Sequence, residues 1–193
     1  MNIENLINPE EIEELIEQYG PSERRSFSLE RGRERCEHWR RVLADRRGEV
    51  IFVVERATGV ILHAKDIYPP GIYRLPSGGV GWGESVLSAL HREVREETGL
   101  EIKVERFLGL LEYNIRCKEE TLPFVSYVFL VRGGDGELVP QDEEEHIASF
   151  RQVPAAELAE VADSLRAVEE EWRDWGEFRA LAHDLVAETI GDS

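Results

Sequence analysis

Gly78-Gly79-Val80-Gly81-Trp82-Gly83-Glu84-Ser85-Val86-Leu87-Ser88-Ala89-Leu90-His91-Arg92-Glu93-Val94-Arg95-Glu96-Glu97-Thr98-Gly99-Leu100 is the stretch from which the rest of the chain is read. Its glycine-rich start reads as a loop, Ser85 as a helix cap and Gly99 as a C-terminal stop, which predicts a helix from about Ser85 to Thr98. At about 100° per residue, Glu93, Glu96 and Glu97 fall within an arc of roughly 100° and share one face. Leu87, Leu90 and Val94 form an apolar stripe beside them, so the carboxylates are expected at a core margin. Like charges so placed repel, and a bound cation resolves the conflict. All-oxygen ligands suit Mg²⁺, with Mn²⁺ as the alternative, and both ions readily take substrate phosphate oxygens. Taken alone, three glutamates fit a solvated face of an acidic protein more readily; the residues around them decide.

Upstream, Val50 to Val54 and Val60 to Ala64 are short β-branched runs around Arg56-Ala57-Thr58-Gly59 and predict a hairpin. Downstream, strand-like runs cover Ile102 to Leu111, Phe124 to Val131 and Ile147 to Val153. Residues 155 to 190 read as helix with Gly176 as the expected break. At the start of the chain, Asn8-Pro9-Glu10-Glu11 is a helix start that Gly20-Pro21 ends, and the arginine-rich stretch 22 to 47 carries no clear period. The order predicts an α+β fold with a mixed β-sheet between helices. It divides into an N-terminal extension, 1–46, packing on or swapping with a core domain, 47–193.

The chain has 193 residues, enough for one sizeable core, and no uninterrupted apolar run of membrane-spanning length. Its start lacks the basic-then-apolar order of a secretion signal, so the expected address is the cytoplasm. The formal net charge of −17 argues against a broad nucleic-acid surface. Cys36 and Cys117 are far apart in sequence and outside any metal-binding spacing, which predicts two reduced thiols.

Read from Gly78, the sequence resembles the Nudix box throughout: Gly78, five residues, Glu84, seven residues, Arg92-Glu93-Val94, Arg95, Glu96-Glu97, Thr98, Gly99-Leu100. A chance match of that kind is about a one-in-a-million event. The resemblance implies the Nudix α/β/α sandwich with its loop-helix-loop catalytic motif. It also implies a Mg²⁺-dependent pyrophosphohydrolase that splits a nucleoside diphosphate derivative by attack of water on phosphorus. Glu93, Glu96 and Glu97 are the implied metal ligands, joined by the Gly78 carbonyl and by Glu84, which alternatively pairs with Arg92. Arg92 is the implied orienting group for the carboxylates. The general base is expected in Gln141-Asp142-Glu143-Glu144-Glu145-His146, with Glu144 favoured and Glu143 and Glu145 as rivals; a solvated turn is the plain alternative.

Lys65 and Arg74 flank the approach to the glycine loop, with Tyr73 beside them, and are candidate substrate contacts or ordinary solvated cations. Trp82 is a candidate stacking surface for a nucleobase, as are Trp172 and Trp175, although packing suits the helical pair better. The proline that often follows the box by about fifteen residues in ADP-ribose hydrolases of this family is absent, Ile115 and Arg116 standing there. ADP-ribose and nucleotide sugars are favoured, with dNTPs in reserve and nucleoside diphosphate sugars ranked first. The alternatives are a non-catalytic nucleotide-metabolite sensor on the same scaffold and a related isomerase or inert module. A homodimer through the N-terminal segment or the C-terminal helices is a further expectation.

Overall fold

A computed structural model describes residues 2–190; Met1 and residues 191–193, the outer ends of the two expected segments, lie outside the described residues. The chain runs α1 (Pro9–Tyr19), β1 (Glu23–Glu30), α2 (Arg33–Asp45), β2 (Arg46–Arg56), β3 (Gly59–Lys65), β4 (Ser77–Gly81), α3 (Val86–Thr98), β5 (Ile102–Arg116), β6 (Thr121–Gly133), β7 (Ile147–Val153), α4 (Leu158–Arg166) and α5 (Arg173–Ile190). One mixed sheet has the order β1-β5-β6-β2-β3-β7, and β4 pairs with the start of β2. β1 lies parallel to β5 and β2 parallel to β6, while β5 and β6 form a long antiparallel pair.

The predicted hairpin forms as β2 and β3, antiparallel around Gly59. The three downstream strands form as β5, β6 and β7. The stretch that resisted reading holds β1 and α2. β1 exposes alternate side chains at the sheet edge, and α2 buries only Cys36, Trp39 and Leu43 amid its arginines, so neither carries a strong apolar pattern.

Helices cover both faces of the sheet. On one, Trp39 of α2 and Phe178 of α5 pack edge to face, 5.0 Å apart, over Tyr113 and Phe124. On the other, α1 meets α3: Glu11 accepts from the Val86 N–H at 2.6 Å and pairs with Arg47 at 2.8 Å. Arg47 also donates to the Glu84 carbonyl, so the N-terminal segment holds the start of α3 in place. A carboxylate at that end is favourable to the helix dipole.

Two expectations fail here. Gly176 does not break the last helix; the break falls at residues 167–169, and Gly176 sits inside α5, where a Cβ would come within 2.0 Å of the Leu165 carbonyl oxygen. Its role is close helix packing. Cys36 and Cys117 are joined in a disulfide and are not two reduced thiols: α2 lies beside the β5–β6 turn, so an 81-residue separation in sequence closes to 6.1 Å between Cα atoms. Linear spacing carries no information on that proximity.

Candidate active site

Ser85 caps α3 by accepting from the Ser88 N–H, and Gly99 ends it in the left-handed conformation at φ 71°. The helix buries more than the expected stripe. Val86, Leu90 and Val94 face the core, but so do Glu93 and Glu97, while Leu87 is only half-buried. Glu93 and Glu97 therefore belong to the buried face, which raises their need for partners, while Glu96 stays at its margin as expected.

At the loop end of the row, Arg92 answers that need. Its guanidinium donates to both Glu84 oxygens at 3.0 and 2.9 Å, to Glu93 at 2.8 Å, to Glu96 at 3.0 Å and to the Gly79 carbonyl at 2.9 Å. The hydrogen bonds from Arg92 hold the Glu84 carboxyl below the usual range. Burial pushes Glu93 up, with Arg92 opposing. A Cβ at position 78 would lie 1.8 Å from the Glu93 carboxyl carbon, so any larger residue there would displace the Glu93 side chain.

At the other end, Glu97 is fully buried and its pKa is pushed up to about 7 by burial, against the opposing charges of Lys65 and Arg74. Lys65 Nζ lies 2.8 Å from one Glu97 oxygen and 2.5 Å from Glu145, bridging the two. Neither Glu97 oxygen accepts a well-aligned hydrogen bond. Next to it, His63 Nδ1 stands 3.6 Å away. Burial, then Arg74 and Lys65, hold His63 well below its ordinary value, so this contact joins a neutral imidazole to the carboxyl. Burial pushes Glu145 up, but the Lys65 hydrogen bond and charge, with the neighbouring Glu97 and Arg74, together outweigh it and leave Glu145 below the usual carboxylate range.

These groups face a cavity of about 380 Å³ that also takes in Asp45, Arg46, Glu49, Tyr68, Arg74, Ser77 and Arg179. Of the residues expected from sequence, Gly78, Glu84, Arg92, Glu93, Lys65 and Arg74 line it, and Glu97 lies behind Lys65. Glu96 points along Arg92 at the rim. In the acidic run, Glu145 lines the cavity and Glu144 does not. Asp142 caps a short turn there by accepting from the Glu144 N–H, which leaves the Glu144 side chain exposed. Trp82 also stands elsewhere, its indole N–H donating to the Leu43 carbonyl, so it ties the loop to α2. Tyr73 bonds Ser149. Trp172 and Trp175 pack against each other and against Tyr68.

Sequence reasoning missed His63, Glu49, Ser77 and Arg179. For His63 a signal existed: it lies two residues before Lys65 in a strand, hence on the same face. Glu49 and Arg179 are 130 residues apart and meet only through the fold.

Among the described residues, no three His, Cys, Asp or Glu side chains converge as a ready metal-ligand set. Arg92 and Lys65 occupy the carboxylates instead. The donor set nonetheless fits a hard divalent cation: oxygens only, a Glu97 without aligned donors, and a glycine whose missing side chain leaves room at Glu93.

A mixed sheet between helices, with an acidic loop-helix-loop at a polar cavity, defines a Nudix-type domain. The NUDIX domain family model matches residues 39–176, and the chain belongs to that family. It is 33% identical over 98 residues to the NAD-capped RNA hydrolase NudC of Pseudomonas aeruginosa, covering 49% of this chain and 32% of that protein. It is 32% identical over 99 residues to the ADP-ribose pyrophosphatase of Methanocaldococcus jannaschii, covering 51% and 57%. The matches thus span about a third and somewhat over half of these relatives' lengths. The structure of the Escherichia coli dihydroneopterin triphosphate pyrophosphohydrolase aligns with a TM-score of 0.49 and 15% identity over 77% of this chain and 98% of that one. No described helix is long and apolar enough to cross a membrane.

Proposed function

We propose that this protein is a Mg²⁺-dependent pyrophosphohydrolase, with Mn²⁺ as the alternative ion, that splits a nucleoside diphosphate derivative into a nucleoside monophosphate and a phosphorylated product. The observation that carries the reading is Glu97: a fully buried carboxyl whose pKa burial pushes up to about 7 although Lys65 stands 2.8 Å away, beside a polar cavity in which carboxylates and cations alternate. Burying such a group is costly unless something else neutralises it in the working state. Glu93, Glu96 and Glu97 would hold the ion, with the Gly78 carbonyl beside Glu93; Glu84, saturated by Arg92 and the Gly81 N–H, serves better as a brace. The ion supplies charge neutralisation for the phosphate oxygens and lowers the pKa of water.

The chain's own residues do the rest. Arg92 holds three carboxylates in register. Glu145 is the favoured base in place of Glu144, because its carboxylate lines the cavity and stays ionised beside Lys65. Lys65 and Arg74 are substrate contacts, and the predominantly polar, charged lining suits phosphate and sugar hydroxyls better than a stacked base. ADP-ribose and nucleotide sugars head the substrate class. NAD and NAD-capped RNA join the panel because of the NudC relatives, although a net charge of −17 weighs against a long RNA.

The test is turnover across that panel and dNTPs, with Mg²⁺, with Mn²⁺ and with EDTA, beside Glu97→Gln. Metal-dependent hydrolysis lost in the variant supports the reading. Nucleotide binding without turnover under every condition replaces it with a sensor. A cytoplasmic address and a homodimer belong to the same proposal. The disulfide weighs against the address, since such bonds persist mainly in oxidising compartments; alkylation of thiols at the moment of lysis decides it.

A further inference from the structure

The cavity has a second wall that the loop-helix-loop does not supply. Arg74 reaches it from the segment between β3 and β4, and Arg179 from α5. Their Nη1 groups donate to the same oxygen, Ser77 Oγ, at 3.0 and 3.1 Å. Ser77 accepts twice there and keeps its own proton to give, and it too lines the cavity. Arg74 is 3% exposed, and its remaining protein partner is the Leu75 carbonyl at 2.8 Å. No carboxylate among the described residues pairs with Arg74 within salt-bridge distance, whereas Arg179 has Glu49 at 2.8 Å. Both arginines keep a buried Nε–H without an acceptor.

A buried and a half-buried guanidinium on one hydroxyl repel, and Glu49 is the one carboxylate among the described residues within salt-bridge distance of either. Burial and the neighbouring Arg179 hold Arg74 below the ordinary guanidinium value. The charges of Arg179, Arg74 and Lys65 outweigh burial at Tyr68 and pull its phenol below the usual value, so the positive field reaches across this side of the cavity. A group with several oxygens and at least one negative charge in the cavity would cancel the repulsion, meeting the guanidinium groups at their Nη edges, since the Nε–H groups are enclosed. Phosphate has that chemistry. Arg179 lies outside residues 39–176, the part matched by the family model, whereas Arg74 and Ser77 lie inside it.

We propose that Arg74, Arg179 and Ser77 form an anion subsite that binds a phosphoryl group of the diphosphate substrate. This rests on the reading of the protein as a pyrophosphohydrolase. Arg179 is a binding residue and takes no part in proton transfer, and Glu49 acts as its resident counter-ion, holding the guanidinium in place before substrate arrives.

Calorimetric titration of the full chain in EDTA with inorganic phosphate, AMP and adenosine tests the subsite without turnover. Phosphate and AMP should bind and adenosine should not; phosphate without AMP would assign the subsite to the free ion and overturn its substrate role. Arg179→Gln and Arg74→Gln should each weaken binding about tenfold or more, and Arg179→Lys by less, because the charge is kept. Glu49→Gln should tighten phosphate binding, since it removes a like charge and frees Arg179; a misfolded variant cannot mimic that gain. Unchanged affinity in Arg179→Gln, equal binding of adenosine, or weaker binding in a folded Glu49→Gln overturns the subsite. In the metal-loaded enzyme, Arg179→Gln should raise KM more than it lowers kcat. The two readings fail separately. Turnover abolished by Glu97→Gln with arginine-independent phosphate binding removes the subsite alone, and arginine-dependent binding without any turnover removes the hydrolase alone.

Discussion

The two walls of the cavity handle charge in opposite ways. On the loop-helix-loop side, Arg92 saturates itself on Glu84, Glu93, Glu96 and a backbone carbonyl. On the far side, Arg74 and Arg179 crowd onto Ser77 with one carboxylate between them and unused Nε–H groups. Between the walls, Glu97 is buried and shares its one close cation, Lys65, with Glu145, so burial still outweighs the pairing. The contrast separates scaffold from site: fully paired charges hold the geometry, and under-paired ones are left for something that binds.

Glu97→Gln gives the sharpest break in that contrast. Turnover should fall by about 10³-fold or more, a loss of roughly 4 kcal/mol in transition-state stabilisation. Stability without metal should not fall, because an amide replaces a carboxyl that burial already disfavours as an anion. Turnover assays paired with urea unfolding at pH 8 in EDTA check both halves. A variant that unfolds more easily would move Glu97 to the scaffold.

Arg92→Ala should show the reverse balance. It strips partners from Glu93, which is buried, and from Glu84 and Glu96, which are partly exposed, and leaves one buried carboxylate uncompensated. The expected loss is about 3 kcal/mol, smaller than for a wholly buried network because Arg92 is a third exposed. The shift of the urea midpoint at constant slope measures it. Retention of full stability would mean that the fork orients without holding.

Legibility in sequence followed the same division. α3 and its carboxylates were readable because a helix brings together residues three and four apart, and its cap and stop are local. The hairpin and the later strands showed as short apolar, β-branched-rich runs between turns. Arg179 and Glu49 were not readable as partners, nor were Cys36 and Cys117, because sheet order and helix docking create those neighbours. In the acidic run, composition located the turn, but only its backbone geometry separates Glu145 from Glu144.

Acid probes the second wall through His183. Its Nδ1–H donates to the Arg179 carbonyl at 2.9 Å and its Nε2 accepts from the Leu75 N–H at 2.9 Å, so a neutral ring pins the segment carrying Arg74 to the helix carrying Arg179. Burial lowers its pKa to about 4. Between pH 6.5 and about 4 the unfolded chain takes up a proton that the folded one refuses, so His183 costs stability as pH falls, up to about 3 kcal/mol across that window. Glu97 works in the opposite sense. Its folded pKa of about 7 lies above the unfolded 4.5, so the folded state binds the extra proton there and gains stability as pH falls. The two windows nearly coincide and largely cancel in the metal-free wild type. In Glu97→Gln the opposing contribution is gone, and unfolding free energy between pH 6.5 and about 4 should fall with a slope of about 1.4 kcal/mol per pH unit from His183, steepened by His63, which burial also holds well below its ordinary value. Chemical denaturation at a series of pH values in EDTA reads the two curves. Parallel curves would show that Glu97 does not titrate in the opposite sense, whereas divergence toward acid assigns the difference to Glu97, and a flatter curve when His183→Gln is added to Glu97→Gln assigns that part of the slope to the second wall.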